Sequence, residues 1–136
     1  MKKDIPIREV LDVGLAFIPT EDRFEGASLW ELFFVNLNET PLENLLINAT
    51  GKSTAPETGG KATATLRYYI PRVEPLSSVL VEAILPEVLT VENTFWVSFQ
   101  NDNYLFDKKY ILEPNADKRE EMWLIPLMGR VGIWLE

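Results

Sequence analysis

Gly51-Lys52-Ser53 closes the stretch INATGKSTAPETGG (47–60) and carries the one spacing in the chain that suggests chemistry outright. A phosphate-binding loop reads G-x-x-x-x-G-K-[ST] and opens a helix, whose first N–H groups hold the phosphates. Counting back from Gly51, the first glycine belongs at position 46, where Leu46 stands. After Ser53 the run Thr-Ala-Pro-Glu-Thr-Gly-Gly cannot start a helix. The segment therefore reads as a long connection between strands.

The other candidates for chemistry fail in the same way. A calcium loop starting at Asn101 wants an oxygen ligand at its fifth position and glycine at its sixth, and Leu105 and Phe106 stand there. Asp117, Glu120 and Glu121 are close in sequence, but acid–base work needs carboxylates held in different environments. In a polar run they read as a solvated face. Cysteine and histidine are both absent, which excludes a disulfide framework, a Cys/His zinc site and a Ser-His-Asp triad around Ser77 or Ser78. The chain is expected not to be an enzyme, and no cofactor or metal is expected.

Charge narrows the partners. The net charge of −8 comes without any Lys/Arg cluster: Lys2-Lys3, Lys108-Lys109 and Lys118-Arg119 all lie beside acids. Counterion release from nucleic acid needs such clusters, so no nucleic acid is expected, and no anionic membrane surface. The charge reads as a solvated exterior. At 46% hydrophobic and 25% charged, the 136 residues suffice for one core, and 1–136 reads as a single domain. Asp4, Arg8, Glu9 and Asp12 break any apolar signal-like run near the start, and no stretch approaches a membrane span. A cytoplasmic setting is the expectation.

The elements that must position any site are strands. Val10–Pro19, Leu29–Leu37, Leu45–Thr50, Thr63–Ile70 and Ser78–Leu85 alternate or run apolar between turn signals. Leu32, Phe33, Phe34 and Val35 put bulk on both faces, so their strand is expected to be central and covered twice. In Ser78–Leu85, Val79, Val81 and Ala83 are expected inward. Pro71 and Pro75 are expected to break the ladder around Val73, which suggests a strand switch or a sandwich edge. Residues 95–112 read as a hairpin turning at Asn101-Asp102-Asn103, with Phe95, Val97 and Phe99 on one face. Pro86–Glu92 and Asn115–Glu121 read as loops or single helical turns, and the tail as two short strands turning at Gly129-Arg130. Seven or eight short strands without a sustained helical period give an all-β, antiparallel β-sandwich of the immunoglobulin-like kind.

The order PLEN (41–44), TLRYYI (65–70), VEPLSSVLVE (73–82), FWVSF (95–99), FDKKYI (106–111) and IPL (125–127) resembles a small all-β family of bacterial proteins, mostly from Bacteroidetes. Its members often carry the label phenylalanyl-tRNA synthetase alpha subunit. The resemblance covers nearly the whole chain and implies the fold. A class II synthetase site needs arginines on ATP and a Gly-rich motif ending in Arg, and Arg67, Arg72 and Arg130 sit in no such context.

Function is then expected at a surface. Trp123, Leu124, Ile125, Leu127, Val131, Ile133 and Trp134 crowd into the tail. One reading completes the sandwich core with them. The other makes Trp123, Leu127, Arg130 and Trp134 an interface for a protein partner or a second copy, Trp and Arg being favoured at hot spots. A further reading is a small-ligand or carbohydrate module with Tyr68, Tyr69 and Trp96 lining a cleft. Outside that reading, the aromatics of the middle region, Trp30, Phe33, Phe34 and Trp96, are expected in the core.

Overall fold

The computed structural model describes residues 7–8, 12–52 and 62–136. Ten strands follow in chain order: β1 (Ile7–Arg8), β2 (Val13–Phe24), β3 (Ala27–Asn36), β4 (Leu42–Lys52), β5 (Ala62–Val73), β6 (Ser77–Ile84), β7 (Glu92–Asn101), β8 (Tyr104–Leu112), β9 (Trp123–Leu124) and β10 (Val131–Leu135). A 3-10 helix (Pro86–Thr90) sits between β6 and β7, and a single α-helical turn, α1 (Ala116–Arg119), follows β8. The first sheet has the order β1-β8-β7-β4-β5 and the second β6-β3-β2-β10-β9. All pairings are antiparallel except that of the two-residue β1 with β8.

The sheets pack face to face as a sandwich because each strand alternates apolar side chains into the gap. Leu15 and Phe17 of β2, Leu32 and Phe34 of β3, Leu45 and Ile47 of β4, and Phe95, Val97 and Phe99 of β7 are all buried in one cluster. Aromatic pairs bridge the layers, Phe17 to Phe95 at 5.5 Å and Phe34 to Phe99 edge-on at 6.1 Å between ring centroids. Leu89 of the 3-10 helix completes this cluster, and Asn93 fixes the helix by donating from Nδ2 to the carbonyls of Val88 (2.8 Å) and Val91 (3.0 Å).

The expected double coverage of β3 is present. Leu32 and Phe34 face the sandwich interior, while Phe33 and Val35 face outward into a second cluster with Ala16, Ile18, Ile125, Met128 and Trp134. The tail thus folds over the outer face of the second sheet. Two-residue turns with left-handed backbone tighten the β2–β3 hairpin, at Glu25 and Gly26, and the β7–β8 hairpin, at Asp102 and Asn103.

Three expectations need correction. The break expected at Pro71 and Pro75 falls on the second alone: β5 runs through Pro71 to Val73, and the chain then turns at Pro75 and crosses to the other sheet as β6. β5 is the edge strand of its sheet, where a missing N–H is tolerated. In β6 the register shifts where Leu32 pairs with Glu82 and Phe33 with Leu80, so Val81 is an extra, bulged residue. Val79 and Val81 pack on the core as expected, but Ala83 is exposed and Ile84 is buried in its place. Trp96 is 47% exposed, because Phe95 and Val97 take the inward positions on either side of it.

Tyr110 of β8 is buried, and its hydroxyl has no hydrogen-bond partner among the described residues. Burial first, and the Glu136 carboxylate second, push its pKa up from 10.0 to about 12. The folded state then keeps a proton that the unfolded chain loses. Stability from this group is complete below pH 10 and is lost as pH rises through about 12. Tyr110→Phe is expected to match or exceed the parent by about 1 kcal/mol, since an unpaired polar group is removed. It is also expected to flatten the fall in stability over that pH window, as read by chemical denaturation.

Candidate functional site

The tail builds an exposed apolar feature. After α1 the chain forms β9, turns through Leu127 and Gly129, both in left-handed backbone, and returns as β10 along β2. Leu124 pairs with Val131 and Trp123 with Gly132 across the hairpin. Ile125 is 1% exposed and anchors the segment, its N–H donating to the Arg130 carbonyl at 2.8 Å. Gly132 lets β10 approach β2 closely: a Cβ there would stand 2.4 Å from the Phe17 carbonyl oxygen.

The four residues singled out by sequence divide. Trp123 (57%) and Leu127 (55%) are exposed, and Leu124 (69%) and Val131 (50%) join them on the same hairpin. Trp134 is only half-buried, but its ring belongs to the outer cluster and lies against the Gly14 backbone, where a Cβ would stand 2.3 Å from its Cη2. Arg130 reaches back to the sheet, 3.4 Å from a Glu31 carboxylate oxygen and over the Phe33 ring. The segment is therefore divided: Ile133 joins the sandwich core, Ile125 and Trp134 join the outer cluster, and Trp123, Leu124, Leu127 and Val131 are exposed.

The aromatic set Tyr68, Tyr69 and Trp96 does not form one cleft. Adjacent residues of a strand face opposite ways. Tyr68 packs toward the core and its hydroxyl donates to the Glu82 carboxylate of the opposite sheet, whereas Tyr69 and Trp96 stand on the outer face of the first sheet. Tyr69 donates there to Asn44 Oδ1 at 2.7 Å, and Lys109 lies 5.1 Å over the Trp96 ring.

A cleft of about 410 Å³ lies elsewhere, between the edge strands β5 and β6, which do not hydrogen-bond to each other. Leu32, Ile84 and Phe95 form a buried floor, and Leu66, Leu85 and Val88 an exposed rim. The cleft was not read from the sequence. Its one signal was Glu82, a lone charge inside the apolar run SSVLVEAI.

Gly51 and Lys52, the end of the apparent phosphate loop, are sheet residues paired with both β5 and β7; residues 53–61, which hold the rest of that motif, lie outside the described residues. Among the described residues no group of acids could hold a metal ion. No helix among them is long and apolar enough to cross a membrane. Comparison of the chain with family models, with curated proteins and with solved structures gives no match in any of the three.

Proposed function

We propose that the chain is a non-catalytic, immunoglobulin-type module that works by protein–protein contact through its β9–β10 hairpin. The strand order supports the immunoglobulin-type reading. With β2, β3 and β6 taken as strands A, B and E, and β4, β5, β7 and β8 as C, C′, F and G, the sheets read A-B-E and C′-C-F-G. β10 is then an addition beside strand A. The absence of histidine and cysteine from the sequence favours binding over catalysis.

The observation that carries the contact reading is the exposure of Trp123, Leu124, Leu127 and Val131 together on one short hairpin that is itself pinned by Ile125. Clustered large apolar groups of this kind mark interaction surfaces, whereas scattered ones do not. The first partner to test is a second copy of the chain. Light scattering over a concentration series should show a dimer that the double variant Trp123→Ala/Leu124→Ser weakens at least about thirtyfold, the effect of losing a hot spot. If the parent chain is monomeric throughout, affinity capture with parent and variant decides for a different protein. Failure to find any Trp123-dependent partner would sink the reading. The variant should keep the parent's unfolding midpoint, since both side chains are exposed.

A further inference from the structure

The cleft between β5 and β6 has the size and walls of a small-molecule site, which typically occupies about 300–1,000 Å³ with an apolar lining and a few placed polar groups. Its floor is apolar: Leu32, Ile84 and Phe95 are all buried. Its charges are of one sign. Glu82 and Glu87 line it, and among the described residues no lysine or arginine does.

Glu82 owes its place to the bulge in β6. Pairing with Leu32 turns it toward the interior at a point where regular alternation from Val79 and Val81 would have turned it out. Tyr68, from the opposite sheet, donates its hydroxyl to Glu82 Oε2 and so fixes the carboxylate. Burial, and then the Glu82 carboxylate itself, hold the Tyr68 phenol well above its ordinary pKa, so it remains a donor. A carboxylate offers about four acceptor sites, and one hydroxyl leaves most of them for a second donor.

We propose that this cleft binds a small amphipathic amine, with its apolar body held by Leu66, Leu85 and Val88 above the Ile84 and Phe95 floor and its ammonium on Glu82. An ammonium carries the charge opposite to Glu82 and Glu87, and a charge-assisted hydrogen bond to a carboxylate is about twice as strong as a neutral one. A carboxylate ligand of the same shape meets two like charges. A neutral one gains only the burial of its apolar body. This site is independent of the β9–β10 hairpin. The competing account of Glu82 is that an inward-pointing charge on an edge strand prevents strand addition from another chain. That account gives no discrimination among small ligands.

The test uses three ligands of one shape, phenylbutylamine, phenylbutanol and phenylbutyrate, titrated into the full chain while the methyl resonances of Leu32, Ile84 and Val88 are followed. The amine is expected to bind about tenfold tighter than the alcohol, and the butyrate weakest of the three. Glu82→Gln should bring the amine to the alcohol's affinity and leave the alcohol unchanged. An amine that binds no tighter than the butyrate overturns the proposal, as do shifts confined to residues outside the cleft. The comparison of ligands on the parent chain stands by itself should the Glu82→Gln chain fail to fold.

Discussion

An Asn36→Ala chain is expected to lose about 3 kcal/mol of stability, a large effect for one polar side chain. Asn36 is 0% exposed at the end of β3. Its Nδ2 donates to the carbonyls of Thr40 (3.1 Å) and Glu74 (3.0 Å), and its Oδ1 accepts from the backbone N–H and the side-chain Nδ2 of Asn38, both at 2.9 Å. Two of the connections that cross between the sheets, β3 to β4 and β5 to β6, are thereby tied to one amide. Alanine leaves two carbonyls and one N–H without the partner they have in the native chain, and unmade buried hydrogen bonds cost about 1–3 kcal/mol per group. Asn36→Asp separates the halves of the amide. It keeps the acceptor facing Asn38 but sets an anion against two carbonyls, and is expected to be at least as damaging as alanine. Urea unfolding of the parent and both variants is the measurement. A loss under about 0.5 kcal/mol, the scale of an ordinary surface change, would show that the carbonyls find other donors.

Phe33 and Phe34 are neighbours in sequence and are expected to behave as residues of different compartments. Phe34→Ala should cost about 3–5 kcal/mol, the range for deleting a buried phenyl ring. Its ring is fully buried and meets Phe99 edge-on across the sandwich. Against a total stability of about 5–15 kcal/mol, that brings the chain near unfolding. Phe33→Ala should cost clearly less, because Phe33 is only partly buried and packs in the outer cluster under the tail. Its effect should also be local. Amide exchange should accelerate over Ile125 and 131–135 and stay unchanged at Val97 and Phe99. Equal losses at the two positions, or exchange that rises uniformly, would mean that the outer cluster is continuous with the sandwich core.

Much of the architecture was legible because strand alternation reports directly on which face is buried. The run Leu32-Phe33-Phe34-Val35 announced its two covered faces, and Asn101-Asp102-Asn103 announced its turn through residues that tolerate left-handed backbone. The same alternation placed Phe95, Val97 and Phe99 inward and so should have sent Trp96 outward. Expecting Trp96 in the core weighed residue type above position. What could not be read was anything set by a register shift. The bulge at Val81 moves Ile84 in and Ala83 out and turns Glu82 toward Tyr68, and nothing in SSVLVEAI marks where the extra residue falls. Asn36 was hidden differently. In VNLNET it is one of two asparagines before a turn, and composition does not distinguish the buried one from its neighbour. The tail was legible as an apolar segment but not as one with two sides, since exposure there depends on where Ile125 and Trp134 meet the second sheet.

The strand order carries one more consequence. Divide the chain between Lys52 and Ala62, and the first piece holds β1 to β4 and the second β5 to β10. In one sheet β4 lies between β5 and β7, and in the other the β2–β3 hairpin lies between β6 and β10. Each piece is therefore the missing middle or the missing flanks of the other. Neither owns a finished layer, and burial of the shared interior requires both. The molecule is built as a lock of two reciprocal halves, the arrangement that makes a protein divisible into fragments that are inert apart and native only when they meet.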